Sequence, residues 1–197
     1  MGGFFLMLLV LLIGIVFYGL TLYNWFVKAK TRLEAAVQEI GNQLKRQAGL
    51  IPNLVESVKG YMKHEKDIFK EITEARKSVL AAVKEGGADK LIEAGTRLEK
   101  AIAPIRAVFE STPQLQAAGP TVKLMDELRD TADKLMYSRR TLIDLTADYN
   151  ARTATFPSNL VAMMFNFGRQ AGIKMPETGA QLEVTKEETE TPKVKLN

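Results

Sequence analysis

The hydrophobic pattern divides the chain into two unequal parts. From Phe4 to Tyr23 nearly every position is apolar, and no charged side chain occurs between Met1 and Val27. About 20 residues at 1.5 Å rise give a helix of roughly 30 Å, the thickness of a bilayer core. A cleaved signal peptide would need a basic leader, a shorter apolar stretch and a small-residue cleavage site. Here no Lys or Arg precedes the run, and Tyr23, Asn24, Trp25 and Phe26 follow it. Tyrosine and tryptophan favour the headgroup level. Residues 1–27 are therefore expected to form an uncleaved anchor, with Phe4 and Leu12 in hydrocarbon and Tyr23 and Trp25 at its edge.

Beyond the anchor, apolar residues recur in steps of three and four, the periodicity of helices packed along one stripe. The first stripe carries Phe26, Leu33, Ala36, Ile40 and Leu44. A second runs 4-3-4-3 from Leu54 through Val58, Tyr61, Glu65, Ile68, Ile72, Ala75 and Val79 to Ala82. A third holds Leu91, Gly95, Leu98, Ile102, Ile105 and Phe109, and a fourth Leu128, Leu135, Leu142, Leu145, Tyr149 and Phe156. No segment alternates with a period of two, so strands are not expected.

Breakers separate the stripes. Gly49 to Pro52 is expected to end the first helix, with Pro52 opening the second. Gly86 suits a helix C-terminus and Asp89 an N-cap, while Ser111 to Thr121 and Phe156 to Ser158 bound the fourth helix. Pro104 should kink or shorten the third. The resulting expectation is an all-α protein: an N-terminal transmembrane helix, then an up-and-down antiparallel four-helix bundle with long helices. The bundle would occupy residues 28–175, including an amphipathic end segment at 158–175. The polar stretch 176–197 is too poor in apolar residues to fold and is expected to be a disordered tail.

One distance constrains this picture. A hairpin at Gly49 to Pro52 would place residue 76 opposite residue 24 and push Lys84 and Glu85 roughly 14 Å into the bilayer. Either the chain bends between Gly19 and Lys28, the favoured solution, or Pro52 is only a kink in one long helix.

Charge sets the orientation. Lys28, Lys30 and Arg32 follow the anchor at once, with Lys45 and Arg46 beyond, so the body is expected on the cytoplasmic side of the inner membrane and the N-terminus outside. The formal net charge of +4 comes from 27 basic and 23 acidic residues that interleave along the helices. Such faces are solvated and touch anionic lipid only near the anchor, which argues against nucleic acid as a partner. The absence of cysteine adds little.

Catalytic chemistry finds little support. A zinc site needs three or four His, Cys or carboxylate ligands, and the chain has one histidine, His64, and no cysteine. A di-iron carboxylate site needs two Glu-x-x-His pairs. No serine sits in a glycine-flanked elbow, and no phosphate-binding loop is present. No cofactor, small-molecule substrate or enzymatic activity is expected. His64 reads as a helix residue beside Glu65, with a pH-sensitive contact as the alternative. Lys59, Lys63, Lys66 and Lys70 fall on one helical face, solvated or docking a protein or lipid. Between Leu160 and Met175, Met163, Met164, Phe165 and Phe167 lie beside Arg169. That segment reads as a cap over the bundle end, or as an interfacial, adaptable contact surface for lipid or a protein.

Several strings give the chain a resemblance to the LemA family. They are Tyr23-Asn24, QLKR (Gln43 to Arg46), LIPNLVESVKGYMKHE (Leu50 to Glu65) and EAR (Glu74 to Arg76), then ESTPQL (Glu110 to Leu115), DYN (Asp148 to Asn150) and FPSNL (Phe156 to Leu160). The family pattern has Arg and Asp where this chain has Gln47 and Gly49, Glu where it has Ala132, and Tyr-Asn where it has Leu142-Ile143. The resemblance implies a membrane-anchored helical bundle with no established enzymatic activity. Its relatives often accompany membrane-bound zinc proteases, and one branch is associated with magnetosome membranes. The expected function is a non-enzymatic scaffold or adaptor that organises membrane or recruits proteins, with the lipid bilayer, protein partners and further copies of itself as partners. An accessory role beside a membrane protease is the alternative.

Overall fold

The computed structural model describes residues 2–62 and 65–172; the expected polar tail lies outside these. Six helices follow in order: α1 (Gly2–Val58), α2 (Lys66–Glu85), α3 (Ala88–Ser111), α4 (Pro113–Ala117), α5 (Gly119–Ala154) and α6 (Ser158–Met164). No strand occurs among the described residues.

α1 is one helix of 57 residues, and this overturns two expectations. The chain neither bends between Gly19 and Lys28 nor turns back at Gly49 to Pro52. It turns between Lys59 and Glu65, with Tyr61 N–H donating to the Val58 carbonyl at 2.9 Å. Pro52 lies inside the helix instead of opening one. Proline removes the N–H that would reach the carbonyl four residues back, here Ala48, whose residue is fully buried. Arg76 of α2 supplies the missing donor: its Nε reaches the Ala48 oxygen at 2.9 Å. The proline ring itself faces solvent, so the helix continues without an unpartnered buried carbonyl.

The same contact resolves the distance problem. Arg76 lies level with Ala48, not with residue 24, so Glu85 ends roughly 20 Å short of Phe26 along the axis. α3 then returns in the direction of α1. A methyl group on Gly95 would come within 2.8 Å of Leu44 Cδ2 and 2.7 Å of an Arg139 Nη, so glycine is what lets α3 approach so closely. α5 descends against α1, pairing Asp130 with Arg46 at 3.9 Å and Tyr149 with Phe26 at 5.7 Å between ring centres.

α1 thus packs on α5 over much of its length, α2 pairs with α3, and that hairpin lies against α1. The result has two levels. At the head, far from the apolar span, α2 and α3 join α1 and α5 around Ile40, Leu44, Ile51, Leu54, Ile72, Leu98, Ile102 and Leu128, all buried. α4 adds the buried Leu115. The two-residue link Gly86-Gly87 has φ of 77° and 95°, a region glycine enters freely. Asp89 falls in the first turn of α3 instead of capping it, and Pro104 sits on that helix's exposed side without shortening it. Below the hairpin, only α1, α5 and the C-terminal segment remain.

Three stripe positions stay exposed, the polar Glu65 and two aromatic residues. Tyr61 stays 52% exposed because it lies in the turn, and Phe156 is 78% exposed because α5 has ended at Ala154. The 4-3-4-3 run read as one helix belongs to two: Leu54 and Val58 close α1, and Ile72 to Ala82 line α2. At the departures from the family pattern, Gln47 and Leu142 are buried, and Leu142 places an apolar side chain in the α1–α5 seam.

Candidate functional site

Where α5 comes down beside the end of the apolar span, the chain builds an aromatic foot. Phe26 is fully buried and Tyr149 nearly so, and their rings meet edge to face. Burial pushes the Tyr149 phenol above its ordinary range, opposed by a hydrogen bond with Gln170. After α5, the buried Ser158 hydroxyl lies 2.7 Å from the Arg152 carbonyl and 2.9 Å from that of Thr155, tying the start of α6 to the helix it follows. α6 is only seven residues long and forms the start of the amphipathic end segment expected at 158–175, whose last three residues lie outside the described ones. The chain then reverses, with Asn166 at φ 56°. Its return path is pinned by a two-way amide pair: Asn150 Nδ2 donates to the Gln170 carbonyl and Gln170 N–H to Asn150 Oδ1, both at 2.9 Å.

This reversal brings Phe165 and Phe167 onto α1. Phe167 stacks on Phe26 at 5.0 Å, and Tyr23 meets Phe165 at 4.9 Å and Phe167 at 5.6 Å. Ala162 of α6 is buried against the foot, whereas Leu160, Met163 and Met164 face away from it. Met164 is 77% exposed, and Phe156 is exposed as well. Above this surface the span begins: Phe4 and Leu12 are exposed, as are the neighbouring apolar side chains. α1 is the one described helix long and apolar enough to cross a membrane.

A groove of about 420 Å³ opens between α1 and α5. Trp25, Lys28 and Arg32 line it from one helix, Asp148 and Arg152 from the other. The Arg152 guanidinium lies 4.2 Å above the Trp25 ring. Among the described residues, no ion pair involves any of these four charged groups.

The foot thus joins strings far apart in sequence: Tyr23, Tyr149-Asn150 and Phe156 to Leu160 come together within one contact region. The conserved pattern of the LemA family matches residues 36–195. The chain belongs to the LemA family. No individually curated protein matches it significantly. The family match starts within α1, so the apolar span precedes it. Family and span together make this a membrane-associated protein.

Other candidate residues of this LemA protein lie elsewhere. Lys59 sits in the turn at the head, 3.8 Å from Glu56, and Glu65 precedes α2. Lys63 and His64 lie outside the described residues. Because Lys59 is in the turn while Lys66 and Lys70 are in α2, the expected basic strip is not one helical face. Arg169 is exposed beside the pinned segment. No group of three His, Cys, Asp or Glu residues placed to hold a metal occurs among the described residues.

Neither Arg76 nor Arg152 stands out in the sequence as a contact residue. Arg76 was one of a motif whose partner lies 28 residues away. Arg152 was visible only as a cation four residues after an aspartate, and its pairing with Trp25 needs the antiparallel register of α1 and α5.

Proposed function

We propose that this protein is a non-enzymatic scaffold or adaptor, anchored on the cytoplasmic face of the inner membrane with its N-terminus outside. In this reading its four long helices act as an up-and-down bundle that stands on the bilayer and presents the head to proteins, including further copies of itself. The observation that supports it is the seat of α6. The chain returns to the end of the apolar span and is fastened there by Asn150 and the Phe26–Phe167 stack, with Leu160, Met163 and Met164 turned outward. Exposed apolar side chains beside a membrane-spanning helix are stable when lipid covers them. Flexible methionines suit such a yielding boundary. Lysines and arginines directly after the span favour the cytoplasmic side.

A photo-crosslinking residue placed at Met164 of the full chain in native membranes tests this. Lipid adducts from Met164, with protein adducts arising instead from a probe at Tyr61 on the head, support the scaffold reading. A stoichiometric adduct between Met164 and one membrane enzyme would contradict it and favour an accessory subunit.

A further inference from the structure

We infer that the groove between Trp25 and Arg152 binds the phosphate of an anionic phospholipid headgroup. This deepens the membrane reading of α1, on which it rests. Lys28 and Arg32 stand one turn apart on the face of α1 that also carries Trp25, and Arg152 faces them from α5. Three cations share the groove with a single carboxylate, Asp148, and none of the four is engaged in an ion pair among the described residues. Three cations against one carboxylate leave the groove with an excess of positive charge, so an added anion is favoured.

The contact of Arg152 with Trp25 defines how it would bind. With its guanidinium carbon 4.2 Å from the indole centroid, Arg152 is held against the ring by cation–π attraction, which uses none of its N–H donors in a hydrogen bond. Those donors match the fork of two phosphate oxygens. Arg152 is thereby held for an anion at the groove mouth, with Lys28 and Arg32 as further cations. The depth is suited to lipid. Trp25 follows the last residues of the apolar span, at the level where indoles meet headgroups. A soluble phosphate ester would offer the same chemistry, but only a lipid carries its phosphate at that height with the acyl chains running along the exposed span. The volume, about 420 Å³, accommodates a phosphoglycerol headgroup.

Trp25 is the only tryptophan, so its emission reports on the groove directly. The full chain is placed in nanodiscs of phosphatidylcholine containing increasing phosphatidylglycerol. A saturable change in Trp25 emission is expected, with roughly ten-fold preference for the anionic lipid. In K28Q/R32Q the preference falls to about two-fold or less. The pair K30Q/K45Q removes the same charge from α1 outside the groove and retains the saturable change. Equal loss in both pairs, or in neither, overturns the site. A response to free glycerol phosphate in pure phosphatidylcholine discs, with none to phosphatidylglycerol, overturns the lipid as its source. Flotation of each variant with phosphatidylcholine vesicles is read separately: an intact anchor with no lipid preference removes the site alone, whereas failure to float removes the membrane reading itself.

Discussion

The head and the foot of this molecule are held by different physics. At the head, the α2–α3 hairpin lies against α1, α1 packs on α5, aliphatic side chains such as Ile72 and Leu98 are fully buried, and the polar contacts there repair backbone or join surfaces. Arg76 serves the carbonyl that Pro52 leaves open, and Arg97 of α3 reaches Glu71 of α2 at 2.9 Å. Arg139 sits against Gly95 with Nε and Nη2 buried and unpartnered, and burial pushes its guanidinium below its ordinary range, opposed by Glu99. At the foot, two helices and one returning segment rely on aromatic rings and one amide pair. Leu160, Met163 and Met164 stay exposed directly beside the apolar span, whereas the exposed Tyr61, Met136 and Tyr137 lie away from it. In the proposed reading, lipid covers the apolar side chains that the foot leaves exposed.

Substitutions separate the two regions. Leu98→Ala should have the largest effect, lowering the stability of the full chain by about 2–5 kcal/mol, because it leaves a cavity in the fully buried head. Denaturant unfolding of the detergent-solubilised chain measures it. Hydrogen exchange should show lost protection through α2 and α3, with the Gln170 amide at the foot retaining its protection until global unfolding.

Arg76→Ala should cost about 1–3 kcal/mol by stranding the buried Ala48 carbonyl. The same substitution in a Pro52→Ala background should cost much less, since residue 52 then supplies its own N–H to Ala48. Equal costs in the two backgrounds would mean that Arg76 does not act through the proline. A double-mutant cycle on unfolding free energies reads the difference.

At the foot, Asn150→Ala should change global stability by no more than about 0.5 kcal/mol. Its signature is local: the Gln170 amide loses its acceptor and exchanges freely, and residues 165–170 become sensitive to protease. If unfolding shifts as far as for Leu98→Ala, the two regions are one cooperative unit and the comparison fails.

The smallest effect is on acidification. Hydrogen bonds from Arg97, Lys77, Lys90 and Lys134 hold Glu71, Glu74, Glu85 and Asp130 below the usual carboxylate range. A carboxyl whose pKa is lower folded than unfolded contributes stability above its unfolded value, and that contribution disappears as pH falls through its folded value. All four lie on α2 or on the head half of α5, and all are exposed, so acid should loosen the head slightly and leave the foot's exchange pattern unchanged. Exchange measured at neutral pH and below the ordinary carboxylate range checks this.

Periodicity revealed most of the helices because each buries one continuous stripe, and the anchor because twenty uncharged positions are hard to place anywhere but lipid. The first turn was hidden for a physical reason. The apolar positions at the end of α1 and those of α2 fall on one 4-3-4-3 count, so the pattern runs from one helix into the next unbroken. Pro52 then looked like the break, because a proline's lost hydrogen bond is visible in sequence while the arginine that replaces it is not. Phe156 followed the stripe of α5 in spacing, yet the helix ends before it. At the foot, Tyr149, Asn150 and Phe165 to Phe167 could be read as candidates individually. Their assembly depends on a chain reversal after Met164 that no periodic signal announces.

In the proposed arrangement the chain returns to the bilayer and lays α6 against it. Spin labels at Met164 and, separately, at Tyr61 of the full chain in nanodiscs test it by accessibility to oxygen and to a water-soluble nickel reagent. Met164 should be protected from nickel and reached by oxygen, as at the headgroup boundary. Tyr61, roughly 50 Å away along α1, should show the reverse. Equal nickel accessibility at the two positions would contradict the account.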